Sequence, residues 1–199
     1  MNGSNDLTRT RAGRGGQSDR PTGLTGRSSV GLPSAALDGR ETQALDAGTI
    51  AHIKRLGLLS GWRCAEIGAG GASVAWWLAT RLRRPGGVVA ADTDTRAFDR
   101  FGSEGLEIRR HDIMAGPLDR ARYDFVHSRL LLARVPDRLR AVKHMAASLR
   151  PGGWLLAEDF EMGAGVLELA GLKDVQVEAR RIDTRLMVAA WGKTPTPFV

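Results

Sequence analysis

Three carboxylates, Glu66, Asp92 and Asp112, each stand at or near the end of a short apolar run. The first is followed at once by a glycine cluster, Gly68-Ala69-Gly70-Gly71-Ala72. Glycines at such a point permit a tight turn and let a ligand approach the backbone closely. An acid roughly 20 residues beyond a glycine loop is the place for a carboxylate that accepts from ribose hydroxyls, and Asp92 occupies it. Asp112, in "RRHDI", closes the run after that. A single acid of this kind reads as an end-of-strand cap. Three neighbouring ends, each with an acid or glycines in reach of one crevice, read as a nucleoside site.

The loop also says which nucleoside ligands it disfavours. A dinucleotide loop has the form GxGxxG, and Ser73 stands where its third glycine belongs. Glu66, just before the loop, repels phosphate and suits a cation. S-adenosylmethionine meets these demands: it carries a sulfonium and an ammonium and has no phosphate. The glycines make room for it, and Glu66 complements its positive end.

These residues converge only if the chain folds as strands alternating with helices. "WRCAEIG", "GVVAAD", "LEIRRHD", "YDFVHS" and "WLLAEDF" read as strands. "ASVAWWLATRL", "TRAFDRFG", "DRLRAVKHMAASL" and "AGVLELAG" read as helices, the third with Leu139, Val142, Ala146 and Leu149 on one face. An earlier helix, in "LDAGTIAHIKRLGLL", carries Leu45, Ile50, Ile53 and Leu56 near helical spacing, with Asp46 as its N-cap and Gly57 as its stop. Alternation of this kind predicts an α/β fold: a doubly wound, mostly parallel, Rossmann-like sheet with helices on both faces. The last two strands, "DVQVEARR" and "TRLMVAAWG", lie so close that they form an antiparallel hairpin. Residues 1–40, rich in Gly, Ser, Thr and Arg, read as a disordered leader, and residues 41–199 as one domain.

From about residue 42 to 192 the chain resembles the class I S-adenosylmethionine-dependent methyltransferases, in particular the small bacterial methyltransferase-domain type. "AEIGAGGAS" is similar to their first motif, with Ala72 in place of the last glycine. The resemblance implies S-adenosyl-L-methionine as cofactor, held at Glu66, Gly68, Ala69 and Gly70. It implies Asp92, with Thr93 beside it, at the ribose, Asp112 at the adenine amine and Ile113 against the ring. "YDFVHSRLLLARVPD" is similar to the fourth-strand motif, which places His127 and Ser128 near the methionine end. The implied reaction is in-line displacement of the sulfonium methyl, onto a small-molecule acceptor in specialised metabolism. A repurposed protein that binds the cofactor without transferring the methyl is the alternative.

His127 is the candidate catalytic base, with cofactor or substrate positioning and structural packing as its other readings. Glu158 and Asp159 end the fifth strand, where one of the two could face a substrate. His52 and His144 read as solvated helix positions. Cys64, the one cysteine, excludes an intrachain disulfide and reads as core packing, and no cluster has metal-ligand spacing. Trp76 and Trp77 are adjacent and cannot share a helix face. The net charge of +7 comes from scattered arginines without an aromatic stripe, which argues against a nucleic-acid site. The lone cysteine points to a cytoplasmic location, and no apolar run is long enough to span a membrane. The fifth strand runs almost directly into the last helix, so the acceptor side is open. A folding leader, a second subunit as in a homodimer, or the acceptor itself could close it.

Overall fold

The computed structural model describes residues 39–58, 60–82, 87–98, 105–160, 162–163, 165–182 and 185–196. All but the last two positions of the predicted leader lie outside the described residues. The chain forms a seven-stranded sheet of order β3-β2-β1-β4-β5-β7-β6. Its strands are β1 (Cys64–Ile67), β2 (Val88–Asp92), β3 (Leu106–Arg110), β4 (Tyr123–Arg129), β5 (Leu149–Phe160), β6 (Lys173–Ile182) and β7 (Arg185–Lys193). The first five run parallel; β7 pairs antiparallel with both β5 and β6. The fold is thus the mostly parallel α/β sheet with a C-terminal antiparallel hairpin that the alternation predicts.

Strand alternation sorts the side chains into two cores. Cys64, Val88, Ala90, Phe125 and Leu156 face one side, where α1 (Gly39–Arg55) and α2 (Ser73–Leu82) pack through Ile53, Val74, Ala75 and Leu78. Ala65, Val89, Val126, Leu155 and Ala190 face the other, under α3 (Arg138–Ser148) and α4 (Gly165–Leu169). Trp77 packs against the first core, whereas Trp76, one position away, is 43% exposed. Among the described residues no helix is long and apolar enough to cross a membrane.

Three local readings change. α1 begins at Gly39 rather than at Asp46, because the Asp46 carboxylate accepts from Ser73 and Arg129 instead of capping its own helix. Gly57, at φ +73°, does follow the helix end in the left-handed backbone that glycine tolerates. On α3, which Asp137 caps by accepting from Arg140 N–H, the buried positions are Ala141, Val142, Met145 and Ser148. The stripe is therefore centred on Met145, and Leu139 in the first turn is only half-buried. The segment expected as a helix after β2 holds a single 3-10 turn, Arg96–Phe98, within its described part.

Leu78 is fully buried at the centre of α2. Leu78→Ala is expected to lower unfolding free energy by about 2–5 kcal/mol. Urea denaturation checks this, and a loss below about 1 kcal/mol would show that α2 does not carry the core of that face.

Candidate functional site

The strand order reverses between β1 and β4, and at such a switch point a crevice opens beyond the carboxyl ends of the strands. A cavity of about 400 Å³ lies there. Gly68 at the end of β1, Asp92 and Thr93 at the end of β2, and Asp112 and Ile113 after β3 all line it, with Leu130, Leu131 and Arg134 from the loop after β4. Gly68 has φ +70°, a backbone that strains any residue with a Cβ, and a Cβ there would sit 2.9 Å from Leu131 Cδ1, which would have to shift. The Gly70 N–H donates to Asp92 Oδ2 at 2.9 Å, which ties the glycine loop to the acid at the end of β2. Asp112 turns its own segment, its Oδ1 accepting from Met114 N–H at 2.8 Å. Ala72 takes φ +54°, a left-handed conformation that costs a residue with Cβ roughly 1–2 kcal/mol. Its methyl is buried in the core under α2 and does not line the cavity.

Glu66, His127 and Ser128 do not line that cavity. Their registers explain why. Glu66 lies opposite His127 across β1 and β4, and both alternate onto the α1/α2 side of the sheet. Glu158 of β5 alternates onto the same side, next to Leu156, its neighbour two positions back. His127 is fully buried between the two acids, with Nδ1 3.3 Å from Glu66 Oε1 and Nε2 3.3 Å from Glu158 Oε2. Each ring nitrogen thus faces a carboxylate oxygen. A neutral ring would turn one lone pair against a carboxylate, so the geometry selects the doubly protonated imidazolium. Burial disfavours that charge, but the hydrogen bond to Glu158 and the close carboxylate of Glu66, which meets Nδ1 without hydrogen-bond alignment, outweigh it and hold the His127 pKa above its ordinary value. Burial likewise works against the Glu158 carboxylate, yet His127, His52 and Thr49 hold it well below the usual carboxylate range.

Glu66 has a second partner: its Oε2 accepts from Ala75 N–H, in the first turn of α2, at 2.7 Å. Both of its oxygens face protein groups, and the residue is 3% exposed. Ser128, beside His127 but on the opposite face, is buried with no partner for its hydroxyl. Ala69 is buried just behind the loop, its N–H donating to Ala91 O at 3.1 Å.

Several residues in this arrangement were read otherwise from sequence. His52 is not solvated: it is 4% exposed, and its Nδ1 lies 3.1 Å from Glu158 Oε1. Thr49, one turn earlier, donates to Glu158 Oε2. Thr49 and His52 lie between Leu45 and Ile53 on the inner stripe of α1, and that spacing is the signal in the sequence that marks them as buried. His144 is half-buried, its Nδ1 2.6 Å from Ile113 O. Of the two acids ending β5, neither lines the cavity. Asp159 accepts from Ala133 N–H at 2.9 Å and so fixes the loop that forms one cavity wall; burial raises its pKa. Among the described residues no three His, Cys, Asp or Glu side chains converge as metal ligands.

The raised His127 pKa has a sign for stability. A group protonated more readily in the folded state contributes fully below its unfolded pKa, about 6.5, and the contribution is lost as pH rises through the folded value. The stability gap between the native protein and His127→Gln is therefore expected to be widest below about pH 6.5 and to narrow at higher pH. Urea denaturation across pH 5.5 to 9 measures it, and a gap that widens with pH would contradict the imidazolium.

A methyltransferase-domain family matches residues 65–157, the segment from β1 to β5 that bears the crevice. Methyltransferase GfsG of Streptomyces halstedii is 33% identical over 115 residues, 53% of this chain and 40% of that protein. The chain spans less than half the length of the curated relatives it matches, 32% and 40%. Among solved structures, the N-methyltransferase NodS from Bradyrhizobium japonicum WM9, in complex with S-adenosyl-L-homocysteine, superposes with a TM-score of 0.65 at 16% identity, over 79% of this chain and 89% of that one. The phosphoethanolamine N-methyltransferase 2 of Haemonchus contortus, in complex with phosphomonomethylethanolamine and S-adenosylhomocysteine, gives 0.62 at 14% identity, over 76% and 53%. Motif positions, matched segment and sheet order agree: residues 65–157 match the methyltransferase-domain family, and the fold around them is that of solved methyltransferases.

Proposed function

We propose that the chain binds S-adenosylmethionine in the crevice and passes its methyl group to a small molecule. The observation that carries this is the convergence of Gly68, Asp92 and Asp112 on one cavity, with the Gly70 amide fastened to Asp92. The donor set suits the cofactor: two carboxylates and a bare backbone favour a cationic nucleoside and disfavour pyrophosphate. Asp92, oriented by the Gly70 N–H, would accept from the ribose hydroxyls, with Thr93 beside it. Asp112 would accept from the adenine amine, and Ile113 would pack on the ring.

When bound, the cofactor supplies a methyl group already activated by its sulfonium. The protein's part is to align that group with the acceptor and exclude water. His127 is poorly placed to take a proton from an acceptor, since it is fully buried with both nitrogens facing carboxylates. We assign it to positioning instead. Glu66 serves by fixing the start of α2, with its charge set behind the loop. An acceptor that is already a free nucleophile needs no base. The cavity volume and the small acceptor named for the Haemonchus enzyme support a small-molecule substrate. A buried free thiol at Cys64 accords with a cytoplasmic setting.

The burial of His127 also favours a second reading, cofactor binding without transfer. Formation of S-adenosylhomocysteine with any acceptor separates the two.

Titration calorimetry with S-adenosylmethionine is expected to give micromolar binding. Asp92→Ala removes a charged hydrogen-bond partner and is expected to weaken binding about tenfold or more. Equal affinity in the two proteins would overturn the ribose assignment, and absence of binding in the native protein would overturn the cofactor reading.

A further inference from the structure

The contacts around His127 close into a ring. From Ser73, the first residue of α2, the hydroxyl donates to Asp46 Oδ1 on α1 at 2.9 Å. Arg129 at the end of β4 donates to that same oxygen at 2.7 Å, and to Thr49 Oγ1 at 3.2 Å. Thr49 donates to Glu158 on β5, Glu158 faces His127 on β4, and His127 faces Glu66 on β1. Glu66 accepts from Ala75 N–H, back in the first turn of α2. The ring therefore holds the chain on both sides of the Gly68–Ala72 loop: at Glu66 before it, and at Ser73 and Ala75 after it.

Glu158 is the member that joins the two halves of this ring. Its Oε2 meets both Thr49 and His127, and its Oε1 lies 3.1 Å from His52 Nδ1. It is two strands away from the loop and has no place on the cavity wall. A buried carboxylate with three polar partners is held in one geometry, since losing any of them leaves an uncompensated group in the core.

We propose that Glu158 is a positioning residue that sets the glycine loop for the cofactor, acting through His127 and Glu66 on one side and through Thr49, Arg129 and Asp46 on the other. Its effect on affinity rests on the cofactor reading above; its effect on the loop does not. Removing its charge frees His127 to turn, loosens Glu66 from Ala75, and lets the loop open locally while the rest of the sheet stays closed.

The test is amide hydrogen exchange of the ligand-free protein, native against Glu158→Gln, with S-adenosylmethionine titration alongside. The Gly70, Ala72 and Ala75 amides, which donate to Asp92, Ala69 and Glu66, are expected to exchange about tenfold faster in the variant. Core amides of β7 such as Ala190 are expected to stay at the native rate. Cofactor affinity is expected to fall about tenfold with them. Faster exchange everywhere, or native rates at all three loop amides, overturns the proposal. Thr49→Val keeps the shape of its side chain and breaks the ring on the α1 side. It is expected to give the same local pattern, so the test survives if Glu158→Gln fails to fold. A native protein that binds no S-adenosylmethionine removes the cofactor reading, and the loop amides still decide the role of Glu158.

Discussion

An imidazolium buried between two carboxylates loses the solvation of three charges, and only close charge contacts offset that loss. His127, with Glu66 and Glu158 each 3.3 Å from a ring nitrogen, is such an arrangement at the centre of this sheet. Removing one partner from a buried set of this kind costs roughly 3–5 kcal/mol, because the remaining charge has no other outlet. The three residues come from β1, β4 and β5, so their alignment constrains the register of all three strands at the crevice end. A slip of one residue would turn each of them to the opposite face.

The same cluster reaches the helices. Glu66 meets the first turn of α2, where unpaired N–H groups favour a negative charge, and Ala75 supplies one of them. Glu158 gathers Thr49 and His52, so α1 docks through polar groups as well as through Leu45 and Ile53. The glycine loop lies between these anchors. Its left-handed residues, Gly68, Gly70 and Ala72, are held by a frame that over-determines them, which is how strained backbone persists at sites. The loop wall opposite is fixed independently, by Asp159 accepting from Ala133 on the other face of the sheet.

Much of this was legible in the sequence because it rests on period and spacing. Alternating apolar runs gave the parallel sheet, and the two closely spaced C-terminal runs gave the hairpin. The acids at strand ends and the glycine loop marked the crevice, where Gly68, Asp92, Thr93, Asp112 and Ile113 do meet. What the spacing could not convey was the partner across the sheet. His127 at a strand end reads as facing the crevice, yet pairing with Glu66 turns it under α1. His52 sits on the inner stripe of α1, but the polar contact that holds it there comes from Glu158, more than a hundred residues later. Asp46 looks like a cap until Arg129 claims it. Each of these depends on a tertiary contact, and local periodicity carries no information about which carboxylate will stand opposite which ring.

The protonation state of His127 is the most direct test of this frame. Nitrogen-15 and proton NMR of the imidazole ring at neutral pH should show protons on both nitrogens, with titration occurring above the ordinary histidine value of 6.5. A ring carrying one proton at neutral pH, titrating below that value, would mean that burial prevails over the two carboxylates and that the cluster does not organise the site.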